Sequence, residues 1–268
     1  MARGKQVRNL NKAIDLLSDK TFCVVTGAGM STGSGIPDYR GRGSAPIKPL
    51  NLDPFLEDEE YRKDFWIQGY EDWRKFSIAG TNVGHEIIGD LGRLGFVNGV
   101  ITQNVDGLHW GAESPVVAEL HGNMYSTSCV ICLEPYATQA VVAQMENDNP
   151  GLLGGEVDKG TFLVPTCGVC FSPLKPDVVF FGQDLPEAPF KLAARIAFNA
   201  EAMVIAGSSL NVISPRVFVR MMANRKLPII IINKGRTQMD DLADVIVRMD
   251  ISEAFTKISE RLVSPMYA

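Results

Sequence analysis

Four of the five cysteines fall into two pairs of the same spacing, Cys129-x-x-Cys132 and Cys167-x-x-Cys170. Each short pair can curl two sulfurs onto one ion, and four thiolates suit tetrahedral Zn²⁺. With every position taken by sulfur, no place is left for water or substrate, so such a metal is structural. A redox role for one pair is the competing reading. It is disfavoured because thioredoxin-type pairs do not occur doubled on a loop-rich insertion. The fifth, Cys23, lies inside an apolar run and reads as a small buried hydrophobe.

The second chemical signal is Gly27-Ala28-Gly29-Met30-Ser31-Thr32-Gly33-Ser34-Gly35-Ile36-Pro37-Asp38-Tyr39-Arg40-Gly41, directly after Phe22–Thr26. Glycines let a backbone turn sharply and approach a ligand, and Ser31 to Ser34 can open a helix whose free N–H groups attract phosphate. Strand, glycine turn and helix start together read as a nucleotide site. Hydride transfer is disfavoured. Ile36-Pro37 stops the helix early, and the acid at the dehydrogenase distance, Asp53, sits in an acidic, proline-containing loop.

The three histidines differ in setting. His85 follows Asn82-Val83-Gly84 at a helix start and reads as a cap or packing residue. His109 closes the polar turn Gln103-Asn104-Val105-Asp106-Gly107-Leu108 and reads as structural. His121 follows Val116–Leu120 and precedes a glycine that leaves room for a ligand. Its titration near neutrality suits a general base for a hydroxyl proton. The residues alone leave that role and a satisfied core histidine both open.

The elements that must position these groups follow an α/β rhythm. Val7, Leu10, Ile14 and Leu17 recur at helical spacing, and Phe22–Thr26 is built like a strand buried on both faces. Further strands are expected at 96–102, 116–120, 178–181, 203–206, 228–232 and 244–248, with helices from 81, at 189–199 and at 215–225. Several strands end in polar or glycine-rich turns, where parallel sheets bind ligands. Tyr61, Phe65, Trp66, Tyr70, Trp73 and Phe76 form one aromatic helix face, read chiefly as packing against the main domain. The stretch 146–160 reads as loop. The pattern implies a Rossmann-like parallel sheet with helices on both faces, made of 1–38, 81–122 and 176–268. Two insertions interrupt it: a cofactor loop and helical segment at 39–80, and a small zinc-binding module at 123–175.

A chain of 268 residues with net charge −5, 46% hydrophobic and 21% charged residues, suits a globular enzyme. It shows no basic patch for nucleic acid and no run of membrane-span length. The odd cysteine count and lack of a signal core point to the cytoplasm.

Taken together the motifs resemble the sirtuins, NAD-dependent protein lysine deacylases. They are GAGMSTGSGIPDYRG at 27–41, TQNVDGLH at 102–109, ELHG at 119–122, both cysteine pairs, KPDVVFFGQDLP at 175–186, GSSLNV at 207–212 and IINKG at 231–235. VPTC at 164–167 and LKPDVVFFG at 174–182 resemble the class II branch. The resemblance implies that Gly27, Ala28, Gly29, Ser31, Ile36, Asp38, Tyr39 and Arg40 contact NAD. It adds Gln103, Asn104, Val105 and Asp106 at the ribose and nicotinamide, and Gly207, Ser208 and Ser209 near the phosphates. Asn233, Lys234, Gly235 and Ile251, in the turn after the last strand, fall at the adenosine end. Val179, Phe180, Phe181 and Gly182, with Asn211 and Val212, match a cleft where an acyl-lysine peptide adds as a strand.

In the implied chemistry the acyl oxygen attacks the ribose carbon that bears nicotinamide. Asn104 and Asp106 orient the amide and water, and His121 takes a ribose hydroxyl proton. Products are nicotinamide, free lysine and O-acyl-ADP-ribose. The chain departs from the pattern at Gly33, where a larger residue is common, and after Arg40. No Tyr/Arg pair for an acidic acyl group stands near Arg42. Acetyl, longer aliphatic and lipoyl-like chains all remain candidates. Mono-ADP-ribosyl transfer to protein and a non-catalytic NAD-sensing module are the competing functions.

Overall fold

The computed structural model describes residues 2–38 and 49–264. Its centre is a six-stranded parallel sheet in the order β3-β2-β1-β7-β8-β9. These strands are β1 (Phe22–Thr26), β2 (Val97–Thr102), β3 (Val117–Glu119), β7 (Ala202–Ala206), β8 (Ile229–Ile232) and β9 (Val245–Val247). Side chains alternate across such a strand, and here both faces are covered, which is why the runs are apolar throughout. Phe22 and Val24 join one core with Leu10, Ile14, Ile88, Leu91, Phe255 and Ile258. Those residues come from α1 (Ala2–Leu17), α4 (Val83–Arg93) and α9 (Ile251–Val263). Cys23 and Val25 join the opposite core with Ala193, Ile196, Phe218 and Met222. These belong to α7 (Glu187–Asn199) and α8 (Ile213–Asn224).

The chain builds outward from β1 through β2 to β3, then returns to β1's other side at β7. The chain leaves β1 toward β2 and leaves β7 toward β8 on the other side, so the carboxyl ends of β1 and β7 mark the switch point where parallel sheets take ligands. The edge at β9 is covered by α1. Asn9 Nδ2 donates to the Ile246 carbonyl (2.7 Å) and Lys12 Nζ to the Asp244 carbonyl (3.1 Å). Occupied carbonyls cannot recruit a foreign strand.

Beside this sheet lies a smaller antiparallel one, β5-β4-β6, made of β4 (Gly122–Cys129), β5 (Pro135–Ala137) and β6 (Leu174–Val178). It carries the cysteines. Here the expected strand at 178–181 is corrected. The ladder runs over Leu174–Val178, where Leu174 pairs with Cys129, while Val179–Phe181 continues beyond it, held by isolated bonds. Apolar content drew the sequence reading to Val178–Phe181, but pairing follows β4.

Two more expectations differ. Helix α6 (Thr138–Asp148) precedes and partly overlaps the expected loop at 146–160. The aromatic helix is real, α3 (Glu59–Ile78), capped by Asp58, whose carboxylate accepts from Glu60 N at 2.8 Å. Its buried Trp66 and Tyr70, however, pack with Val141, Val142, Met145, Leu152 and Phe162 of the cysteine-bearing module, not with the main sheet. Tyr70 also donates to Glu146 (2.8 Å). The module thus owns a core, completed by a helix from the other insertion.

Candidate active site

The glycine turn does not open an α-helix. Residues Ala28–Met30 and Thr32–Ser34 form two single 3-10 turns, and Gly35 leaves them at φ +85° before Ile36-Pro37. The glycines serve loop-to-loop contact. A Cβ on Gly29 would lie 2.8 Å from the Gly207 carbonyl oxygen, and one on Gly27 2.9 Å from Ser208 Cβ. Gly207 itself has φ +66°, and a Cβ there would meet Met30 N at 2.4 Å and Ile251 Cδ1 at 2.8 Å. Only glycine fits all three. The loops after β1 and β7 close on each other, and Gly29 N donates to the Gly207 carbonyl at 2.9 Å.

Beneath this junction the polar residues at the end of β2 form one buried network. Asn104 Nδ2 donates to the Gly27 carbonyl (3.1 Å) and to Ser31 Oγ (3.0 Å). Ser31 Oγ donates to Asp106 Oδ2 at 2.6 Å, and the other Asp106 oxygen caps Leu108 N at 3.1 Å. Gln103 Nε2 donates to Ser208 Oγ at 2.7 Å, linking β2 to β7. The Val105 carbonyl accepts from Met124 N (3.0 Å), and Tyr125 donates its hydroxyl to the Asp106 carbonyl (2.5 Å). Asn104 and Asp106 are buried, so their amide and carboxylate are held in one orientation each.

Below them Thr26 Oγ1 donates to Thr102 Oγ1 (2.9 Å), which also accepts from Asn104 N (3.0 Å). His109 Nε2 lies 2.9 Å from Thr26 Oγ1. His85 closes a capping box on α4: Asn82 N donates to its Nδ1 at 3.3 Å. Both rings are buried and meet edge to face, 4.8 Å between centroids. Burial pushes the His85 pKa down to about 4 and that of His109 well below 6.5. The structural readings of these two histidines hold.

His121 is different, because it ties four segments together. Its Nδ1 lies 3.2 Å from the Gln103 carbonyl oxygen and its Nε2 lies 2.9 Å from Ser214 Oγ at the start of α8. Its own carbonyl accepts from Val179 N at 2.9 Å. A carbonyl only accepts, so Nδ1 carries the hydrogen and Nε2 of the neutral ring is bare. Burial lowers its pKa, and the Gln103 carbonyl offsets part of that. The ring is therefore neutral at neutral pH, the form a base requires.

From Val179 the chain runs along the mouth of the site. Phe181 N and O bond to the Leu50 carbonyl (2.7 Å) and to Leu52 N (3.0 Å), so that edge is taken. Phe180 is buried between Phe55 and Phe65 at centroid distances of 5.4 and 5.2 Å. Lys175 Nζ sits 4.6 Å from its ring and donates to the Pro176 and Val178 carbonyls, both at 2.8 Å. Gly182 has φ +88°, and a Cβ there would meet nothing within 4 Å among the described residues. On the other loop Arg216 donates to the carbonyls of Leu210 and Asn211, fixing the turn that ends at Val212, the N-cap of α8.

At the far end Asn233 Nδ2 donates to the Gly235 carbonyl (3.0 Å) and Lys234 pairs with Asp250 (2.9 Å). Ile251 opens α9 rather than lying in a turn, and Asp250 caps that helix. Ile36 is buried, Asp38 is half-buried, and Gln238 N donates to the Ser209 carbonyl. Tyr39 and Arg40 lie outside the described residues. Of the expected residues, Gly27, Gly29, Ser31, Gln103, Asn104, Asp106, Gly207 and Ser208 are joined to one another by the bonds and contacts given above. Ser214, Thr26, Thr102 and Tyr125 were not singled out from sequence. The registered pair Thr26–Thr102 at two buried strand ends was the available signal.

The four cysteine sulfurs all lie within 4.8 Å of one another, with Cys129–Cys170 at 3.4 Å and Cys132–Cys167 at 3.5 Å. Zn–S bonds of about 2.3 Å at tetrahedral angles place sulfurs about 3.8 Å apart, so the cluster fits one ion. Both pairs fold alike: Leu133 and Phe171, each just after its pair, take φ +63° and +60°. Backbone N–H groups of Ile131 and Cys132 point at Cys129 Sγ, and that of Val169 at Cys167 Sγ, all at 3.4 Å. Tyr136 Oη lies 3.2 Å from Cys167 Sγ. Such donors suit thiolates that carry charge. A four-sulfur shell is closed to substrate.

Fold and site thus define an α/β protein with a dinucleotide crevice at its switch point and a four-thiolate module beside it. A family model described as "Sir2 family" matches residues 27–214, and the chain belongs to that family. "NAD-dependent protein deacetylase 1" of Streptomyces coelicolor is 36% identical over 269 residues, covering 95% of this chain and 90% of its own. "NAD-dependent protein lipoamidase sirtuin-4, mitochondrial" of Bos taurus is 34% identical, covering 90% and 82%. A solved structure described as "Sir2-p53 peptide-NAD+" superposes with TM-score 0.81 at 31% identity, covering 97% of this chain and 99% of that one.

Proposed function

We propose that this chain is an NAD-dependent protein lysine deacylase. One observation carries the reading: a single residue joins the nucleotide crevice to the peptide strand. The His121 ring is held by Gln103, whose side chain bonds Ser208 in the crevice, while the His121 carbonyl holds Val179. A protein that only sensed NAD has no need of a neutral imidazole shared between two substrates' sites.

NAD, when bound, supplies a ribose carbon that exchanges nicotinamide for the acyl oxygen. The residues that would hold it are Gly27, Ala28, Gly29, Ser31, Ile36, Asp38, Tyr39, Arg40 and Gln103 to Asp106, with Gly207 to Ser209, Asn233 to Gly235 and Ile251. Asn104 and Asp106, locked through Ser31, orient the amide and water. His121 Nε2 takes a hydroxyl proton. Its ring then carries charge that the Gln103 carbonyl stabilises. The peptide would add as a strand beside Gly182 and Asn211, away from the Phe181 edge that Leu50 and Leu52 occupy. Acyl-lysine proteins are the partners. We place the protein in the cytoplasm, where a reducing medium keeps four thiolates available to zinc.

His121→Ala is the direct test. Loss of a positioned base costs roughly two to four orders of magnitude in rate, so deacylation should fall by that much while NAD binding, read by calorimetry, persists. Unchanged turnover removes the role. Isotope-labelled NAD separates this reading from transfer of ADP-ribose to protein, because in deacylation the label leaves on a small acylated product.

A further inference from the structure

We propose that Ser214 is the positioning residue of the base: its hydroxyl donates to His121 Nε2 and holds that nitrogen, bare of hydrogen, facing the place a substrate hydroxyl must reach. The inference rests on the deacylase reading above.

The ring is gripped at both nitrogens, by the Gln103 carbonyl at 3.2 Å and by Ser214 Oγ at 2.9 Å. Since Nδ1 carries the ring's one hydrogen, the hydrogen in the second bond comes from the serine. Ser214 is only 7% exposed and is the second residue of α8, directly after the Val212 cap and Ile213, so helix geometry sets its direction. The loop before it is itself pinned, by Arg216 on the Leu210 and Asn211 carbonyls. Nε2 has a single lone pair, so Ser214 orients the ring in the resting protein and its hydroxyl hydrogen turns away as the substrate hydroxyl takes its place. With only Gln103 to hold it, the imidazole would keep one anchor and could swing about that bond.

The other two histidines give an internal control. His85 Nδ1 accepts from Asn82 N, so its hydrogen is on Nε2. Thr26 gives its own hydrogen to Thr102, so His109 Nε2 must donate to Thr26. His121 is therefore the one ring of the three with its hydrogen on Nδ1.

Proton–nitrogen correlation spectra of the histidine side chains read this in the free protein, without any ligand. Two rings should show the Nε2–H pattern and one the Nδ1–H pattern. In Ser214→Ala only the bare nitrogen of the Nδ1–H ring should move, toward its position in unbonded imidazole. Kinetically, Ser214→Ala should slow formation of deacylated peptide roughly tenfold to a hundredfold, as when an orienting partner of an imidazole is removed. Exchange of labelled nicotinamide, which needs no base at that hydroxyl, should stay at the wild-type level. Ser214→Thr keeps the hydroxyl and should restore deacylation. A His121 signal unmoved in Ser214→Ala, or exchange and deacylation falling together, overturns the proposal. If the unaltered protein exchanges no nicotinamide with an acylated peptide, the deacylase reading fails instead, and the spectra still decide the Ser214–His121 bond.

Discussion

Replacing His85 by glutamine should flatten the acid side of the protein's stability profile. His85 is the third residue of α4, and its Nδ1 accepts the Asn82 N–H. Its Nε2 and the Nδ1 of neighbouring His109 have no hydrogen-bond partner among the described residues. An added proton on His85 would sit on Nδ1 against the Asn82 N–H, and one on His109 would be buried at Nδ1 without an acceptor; desolvation outweighs the raising effects of Asp106 and Glu86 on His85. An unfolded histidine titrates at 6.5, the folded His85 at about 4. The stabilisation is therefore complete above pH 6.5 and declines as the pH falls from there toward 4, because only the unfolded chain takes up the proton. That gap, at about 1.4 kcal/mol per pH unit, is about 3 kcal/mol. His109 adds to it in the same direction. Glutamine suits this position because it reaches back to the cap N–H as the histidine does, but does not titrate. The assay is urea unfolding of both proteins across this range at equal zinc. Acid release of the metal affects both alike, so the comparison isolates the histidine. His85→Gln should start less stable near neutrality, and its deficit should close by about 3 kcal/mol toward the acid end. Parallel profiles would refute the reasoning.

Removing zinc with a chelator, or Cys132→Ser, should loosen the core of Trp66, Tyr70, Val141 and Met145 and abolish peptide-dependent turnover. Tryptophan emission would report the change, and turnover that survives metal loss would contradict the structural role. Gly207→Ala should cost about 2–4 kcal/mol and weaken NAD binding, since the new Cβ is strained at positive φ and overpacks Met30. Gly69→Ala, in open space on α3, is the control and should stabilise by up to about 1 kcal/mol. Equal effects of the two would sink the loop-contact argument.

The parallel sheet was legible because both faces are buried, so each strand is a continuous apolar run such as Phe22–Thr26 or Ile229–Ile232. The cysteine spacing carried the metal cluster for a similar reason: two ligands within one turn constrain each other locally. What sequence could not reveal depends on partners distant along the chain. Strand β6 takes its bounds from pairing with β4, so the more apolar Val179–Phe181 lies outside it. Trp66 and Tyr70 meet α6, a helix hidden by its overlap with a polar stretch. The glycines at 27 and 29 were read as letting the backbone turn and approach a ligand; their close contact with the loop after β7 depends on a distant partner and left no local mark. His121 was undecided until its three partners, Gln103, Ser214 and Val179, were in view. Ser214, 93 residues away, carried no local pattern to mark it.

The most direct test is nicotinamide release from NAD by the purified protein, with and without one peptide bearing acetyl, longer aliphatic or lipoyl groups on its lysine. Release should appear with at least one acylated peptide, match the free lysine formed mole for mole, and vanish with the unmodified peptide. Release at the same rate with and without acylation would contradict the central claim.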